Sequence, residues 1–180
     1  MRFIKVTVLC CWLDFPTEYV ILKSLKASKM NKTLFNPSDV SELIQRIEKL
    51  TPKTNNLWGK MNVAQMMAHV NISLETASDK HRLKSSGPIG RFIGSLMKSG
   101  ALGPKPFGKN SPTAKSYIFP ADLKFEEQKA KTLASIKLFT EGGPSKVTSH
   151  PHAFFGHFTP EQWAVFQWKH FDHHLRQFGV

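Results

Sequence analysis

The sequence predicts an all-α protein, a four-helix bundle with one short extra helix and a long loop. Four segments repeat apolar residues at intervals of three and four, and capping residues precede them. No segment after Met30 alternates apolar and polar residues as a half-buried strand does. The chain has 180 residues and no internal repeat, which is typical of one domain with a substantial core.

The first predicted helix begins after Asn36, a good N-cap, and Pro37 suits its first position. Its apolar residues recur at helical spacing: Val40, Leu43, Ile44, Ile47 and Leu50. In the second helix, Asn62 and Gln65 form an N-terminal capping box. One face of that helix is apolar, through Val63, Met66, Met67, Val70 and Leu74. His69 lies at the margin of this face.

The segment GPIGRFIGSLMKSG has apolar residues at helical spacing, but Gly90 and Gly94 lower its helix propensity, so only a short helix is expected. The next residues, ALGPKPFGKNSPTAKSYIFP, predict a loop. A loop of about 20 residues in a small domain is more often functional than not. The following helix is predicted to have Asp122 as its cap and Leu133, Ile136 and Phe139 inward, and to end at glycines 142 and 143.

The last helix begins with a capping box between Thr159 and Gln162, and Gly179 ends it. At 100° per residue, His170 and His174 project from one face, and Gln167 lies on the same face. The opposite face is predicted to meet water and carries Lys169, Asp172, His173 and Arg176.

An i, i+4 histidine pair can place two ring nitrogens around one ion, and His69 is the nearest candidate for a third ligand. Three neutral histidines suit zinc, nickel or a similar divalent ion and leave positions for water or substrate. The alternative is that these histidines only pack and form hydrogen bonds. In the loop SHPHAFFGH, the histidines at 150, 152 and 157 are expected to meet solvent, to bond within the loop or to line the mouth of a cavity.

Both cysteines, Cys10 and Cys11, lie within residues 1–29, which we predict to be an extension outside a domain that spans residues 30–180. The domain therefore supplies no thiolate, and any thiol in its chemistry must arrive on a second molecule. The apolar run of residues 6–13 is short and has no signal-peptide cleavage site after it, which predicts a cytoplasmic protein. No run is long enough for a membrane helix, so no membrane association is expected.

The formal net charge is +12, and residues 80–115 contain no acidic residue. Eight basic residues lie there: Lys80, Arg82, Lys84, Arg91, Lys98, Lys105, Lys109 and Lys115. This segment predicts a basic surface, which is either simply solvated or attracts anions. Few aromatic residues are interleaved with these charges, so a nucleic-acid or polyanion-binding module is the alternative function and not the leading one.

The chain also resembles a known family, and two segments carry the resemblance: LWGKMNVAQMMAHV and HPHAFFGHFTPEQWAVFQWKHFDHHLRQFGV. Over residues 35–180 the chain resembles the DinB-like superfamily of metal-binding four-helix bundles, and within it a bacterial branch whose function is unknown. The resemblance implies a divalent metal, zinc or nickel, on His69, His170 and His174. It also implies a homodimer, because relatives commonly dimerise.

Characterised relatives in that superfamily are thiol-dependent transferases and isomerases. The resemblance therefore implies a small-molecule substrate and a low-molecular-weight thiol such as bacillithiol, mycothiol or glutathione. A hydrolase that activates water at the metal is the other enzyme class that we expect from this ligand set. Gln167, two turns before His174 on the same face, is expected to orient water or substrate.

Overall fold

The computed structural model of the protein describes residues 31–180, and these residues form five α-helices. They are α1 (Pro37–Glu48), α2 (Val63–Ala77), α3 (Gly87–Leu102), α4 (Phe125–Gly142) and α5 (Pro160–Gln177). Short 3-10 helices form at Lys115–Tyr117 and Pro144–Lys146. Within residues 31–180 there is no β-strand, so the predicted all-α bundle is confirmed. The predicted extension at residues 1–29 lies outside the described residues.

Helix α2 packs along α4 and also contacts α5. Helices α1 and α3 pack on α5. Most of α2 is buried, whereas α1 and α4 bury only one stripe each. The fully buried large side chains come from several elements: Leu34, Leu43, Ile47, Met66, Met67, Leu74, Ile136, Phe158, Trp163, Phe171 and Leu175. Each such residue contributes about 1.5–3 kcal/mol by leaving water.

The predicted helix starts are confirmed at α1, α2 and α5. Asn36 accepts a hydrogen bond from the backbone N–H of Ser38 at 2.9 Å, and reciprocal capping boxes open α2 and α5. The prediction that Asp122 caps α4 was wrong. That helix begins at Phe125, and no side chain of the described residues caps it. The acidic residues at positions 126 and 127 in its first turn interact favourably with the helix dipole instead.

Helix α3 has 16 residues and is longer than the short helix that its glycines predicted. At Gly94 the helix meets the loop before α5 so closely that a Cβ atom would lie 2.0 Å from the carbonyl oxygen of Phe154. Only glycine fits this close contact, and the helix tolerates the low helix propensity of glycine for that reason. The apolar side chains of α3 remain largely exposed: Ile89, Phe92, Ile93, Leu96 and Met97.

The face of α5 that was predicted to meet water is largely covered, because both α1 and α3 pack on this helix. Lys169 is buried, and its ammonium donates to the carbonyl oxygens of residues 100, 101 and 103 at 2.7–3.0 Å. Asp172 is also buried and pairs with Arg46 at 2.9 Å and with Arg176. His173 is partly buried rather than facing water. No helix within residues 31–180 is long and apolar enough to cross a membrane.

Candidate metal centre

The three predicted histidines come together between α2 and α5. His69 Nε2 lies 3.1 Å from His170 Nε2, and His174 Nε2 lies 3.2 Å from the same atom. One ligand atom from each of the three residues falls within 4.8 Å of the others. A tetrahedral ion with bonds of about 2.1 Å would hold its ligand atoms about 3.4 Å apart, so the observed spacing fits a single metal ion.

The hydrogen bonds of the outer ring nitrogens define two of the tautomers. His69 Nδ1 lies 3.2 Å from the carbonyl oxygen of Tyr117, which can only accept, so Nδ1 carries the proton. The amide nitrogen of Gln177 donates to the Trp58 carbonyl at 2.7 Å, which turns the Gln177 oxygen toward His174 Nδ1 at 2.8 Å. His174 Nδ1 is therefore also a donor. Both residues direct an unprotonated Nε2 into the cluster.

Hydrogen bonds alone do not satisfy all the ring nitrogens of the three histidines. His170 Nε2 faces two lone pairs, those of His69 and His174, and its single proton can be donated to only one of them. Its other nitrogen, Nδ1, is buried and has no hydrogen-bond partner within residues 31–180. A cation between the three Nε2 atoms would remove the unfavourable contact of lone pairs. The arrangement therefore favours a metal site over simple packing of imidazoles.

Burial keeps these imidazoles neutral. It lowers the pKa of His174 to about 3, and the nearby His69 adds to the effect. Burial also lowers the pKa of His69, and the pKa of His170 is well below its ordinary value because burial and the two neighbouring histidines all oppose a charge there. Neutral imidazole is the form that binds a metal, so the three histidines are in the metal-binding form at neutral pH.

Aromatic side chains surround the cluster. The Tyr117 ring meets His69 edge-on at 5.5 Å between centroids, and Phe166 stacks on His170 at 6.1 Å. His173 lies between Trp58 and Phe107, with ring centroids 6.1 and 5.8 Å away. Two of these aromatic residues, at positions 107 and 117, belong to the connection between α3 and α4, so the predicted long loop does lie beside the histidines.

Gln167 lies one turn before the histidine pair and is fully buried. Its oxygen accepts from the Ser73 hydroxyl at 3.1 Å, and its nitrogen donates to the Ser73 carbonyl at 3.0 Å. These contacts join α5 to α2. The expectation that Gln167 orients water or substrate stays a prediction.

Sequence reasoning missed the residues that orient the ligands. Gln177 is the clearest of them, and its spacing of three residues after His174 on the same helix was a usable signal. The Tyr117 carbonyl carries no such signal, because a backbone group from a loop is placed only by the fold. Gly59 was also missed: a Cβ atom there would lie 2.4 Å from the Gln177 amide nitrogen.

The loop histidines lie outside the cluster. His152 Nδ1 accepts hydrogen bonds from the backbone N–H groups of residues 154 and 155 at 3.1 and 3.2 Å, so bonding within the loop is confirmed for it. Burial among aromatic rings lowers its pKa to about 4. His150 and His152 both line a cavity, whereas His157 is exposed.

Residues 29–179 match the family described as "Protein of unknown function (DUF1569)". Comparison with curated proteins and with solved structures gave no match. The family match covers the capping boxes, all five helices and the three histidines. The chain therefore belongs to the DUF1569 family.

Proposed function

We propose that the protein is a DinB-like, divalent-metal-dependent enzyme that acts on a small molecule, with zinc or nickel held by His69, His170 and His174. The observation that carries this proposal is the convergence of three Nε2 atoms, two of which have their lone pairs directed inward by outer hydrogen bonds. Oriented ligands of this kind are typical of metal sites in proteins. A set of three nitrogens leaves coordination positions for other molecules.

When bound, a divalent ion of this type lowers the pKa of a coordinated water or thiol. The residues of this chain would hold the site and limit access to it. Because His170 is partly exposed while His69 and His174 are buried, the approach is expected on the His170 side, beside Phe166. Residues 31–180 contain no cysteine, so thiol chemistry would require a second, thiol-bearing molecule.

Metal analysis tests the site. Protein purified without a histidine tag is expected to contain about one zinc or nickel ion per chain, as measured by elemental mass spectrometry. The double variant His170→Ala, His174→Ala is expected to lose nearly all of it. His173→Ala is the matched control, because it removes a partly buried histidine from the same helix without removing a ligand. Equal metal content in all three proteins would overturn the proposal.

A second experiment distinguishes the transferase from the hydrolase. The cobalt-loaded protein is titrated with glutathione and with bacillithiol, and the near-ultraviolet absorption of cobalt–thiolate bonding is followed. A saturable new band that is absent after chelation supports a thiol transferase. Loss of metal-dependent ester or amide hydrolysis on chelation, with no such band, would favour the hydrolase instead.

The basic surface supports a second candidate function, a module that binds nucleic acid or another polyanion. Seven of the eight basic residues between positions 80 and 115 are exposed, and Lys98 is partly buried. Binding through these charges would weaken steeply as salt is raised, because counterions are released from the polyanion. Measuring the affinity for single- and double-stranded DNA at two salt concentrations tests it, and no binding at low salt would eliminate it.

A further inference from the structure

A cavity of about 200 Å³ lies away from the histidine cluster. It is bounded by the end of α2 at Thr76, the start of α3 at Arg91, the loop of residues 148–153 and Trp163 in α5. Thr76 and Trp163 are each seven residues along their helices from His69 and His170, which is about 10 Å. The buried pair of Gln167 and Ser73 lies between the two places. The cavity is thus a separate feature with room for a small organic molecule.

Two buried polar atoms of the cavity residues have no hydrogen-bond partner among residues 31–180. Trp163 is 1% exposed, and its indole Nε1 has no hydrogen-bond partner among the described residues. An indole N–H can only donate, so it requires an acceptor. The Nε2 atom of His81 is also buried without a partner there. Native proteins rarely leave such atoms unsatisfied, and both residues line this cavity.

The charges around the cavity indicate what the acceptor is. Arg82 and Arg91 line it, and among the described residues Asp79 is the one acidic residue that does so. Asp79 pairs with Arg82, whose Nε lies 3.4 Å from its carboxylate, and Arg82 also interacts with His150 Nε2. The charge of Arg82 is thus already balanced by Asp79, and Arg91 supplies the positive charge that is left over. The two arginines and Asp79 together give a net charge of about +1, which complements a monoanion. Guanidinium groups match the planar geometry of a carboxylate especially well.

We propose that this cavity binds a small organic monocarboxylate, a site independent of the metal centre. Its carboxylate interacts with Arg82 and Arg91, and one of its oxygen atoms accepts from the Trp163 indole N–H. Leu83, Pro151 and Ala153 supply an apolar lining for the carbon skeleton. The basic segment of residues 80–115 then serves in part to attract an anion to this cavity.

The experiment follows the indole N–H signals of the full-length, ¹⁵N-labelled protein by NMR during titration with benzoate. The chain has four tryptophans, and the spectrum of Trp163→Phe identifies the Trp163 signal. If that variant does not fold, sequential assignment of the wild-type protein identifies the signal instead. We expect benzoate to move the Trp163 signal saturably, while benzamide, its uncharged counterpart, has little effect.

Three variants complete the test. Arg82→Gln and Arg91→Gln are each expected to weaken benzoate binding about tenfold or more, because a charged hydrogen bond is lost. Lys98→Gln removes one positive charge from α3 outside the cavity and is expected to leave the affinity unchanged. His170→Ala is also expected to leave it unchanged, because the metal ligands take no part.

Several results would overturn the proposal. One is a Trp163 signal that does not move at tens of millimolar benzoate, phenylacetate and pyruvate. Another is an equal effect of benzamide and benzoate, which would show that the charge is not recognised. Equal weakening by Lys98→Gln and Arg91→Gln would show only general attraction of anions to a basic protein. Loss of binding in His170→Ala would place the anion at the metal centre instead.

Discussion

Helices α2 and α3 have almost the same length and both pack on α5, yet they are attached in different ways. Most residues of α2 are buried, and one of them is a predicted metal ligand. Only Gly94 and Ala101 are buried in α3, and its large apolar side chains are exposed. Apolar burial therefore holds α2, whereas α3 depends on a close backbone contact at Gly94 and on the buried ammonium of Lys169.

This difference in burial agrees with the role that we propose for each helix. A metal ligand must be held within a fraction of an ångström, and close packing on several sides would achieve that for His69, the proposed ligand on α2. Helix α3 carries charge rather than a ligand, and its start borders the cavity through Arg91. Four expected outcomes, from the largest to the smallest effect, test how far the two regions differ.

Leu74→Ala in α2 is expected to lower the free energy of unfolding by about 2–5 kcal/mol, because it opens a void in a close-packed core. Leu74 is 0% exposed. Urea unfolding followed by circular dichroism measures the effect. A loss of less than about 1 kcal/mol would mean that the surrounding helices can collapse into the void. Helix α2 would then not be held by close packing.

Acid is expected to destabilise the loop that faces α3. In the unfolded chain His152 takes up a proton below about pH 6.5, whereas in the folded protein its pKa of about 4 keeps it neutral. The unfolded chain binds the extra proton between these values. The free energy of unfolding therefore falls as the pH is lowered from about 6.5 to about 4, by about 3 kcal/mol from this residue.

The control is His152→Asn, whose side-chain oxygen can still accept from the loop N–H groups but does not titrate. Urea unfolding of metal-free protein at several pH values is expected to show a smaller pH dependence for the variant than for the wild type. Identical slopes would mean that His152 is not neutral in the fold.

Lys169→Met is expected to lower stability by about 1–2 kcal/mol, because the carbonyl groups at the end of α3 lose a charged donor. Hydrogen exchange measured by mass spectrometry should become faster in α3 but not in α2, and metal content should not change. Lys137→Met, at an exposed position on α4, is the control. Equally slow exchange in α3 of both variants would show that Lys169 does not hold this helix.

Leu96→Ala in α3 repeats the first substitution on a side chain that is 68% exposed. We expect a change of less than about 0.5 kcal/mol in the same urea experiment. The contrast with Leu74→Ala compares the two helices directly, since the deleted atoms are identical. A loss near 2 kcal/mol would show that something covers α3 in solution.

Local signals in the sequence were sufficient to predict most of the helices. Capping residues and apolar periodicity predicted α1, α2 and α5, because both act within one or two helical turns. The i, i+4 spacing also placed His170 and His174 on one face. Asp122 failed as a cap because the helix begins three residues later, at Phe125, and its N-cap position is Lys124, which has no side-chain acceptor for the first N–H groups.

The sequence by itself determined which segments are helical, which histidines are candidate metal ligands and where the positive charge is concentrated. Only the tertiary structure decided that His69 meets the pair on α5, that Gln177 and the Tyr117 carbonyl orient two of the rings, and that Lys169 and Asp172 are buried. The physical reason is the distance along the chain over which each kind of interaction acts. Helix formation depends on neighbours in the chain, whereas these contacts depend on which helices cover α5, and no single helical wheel contains that information.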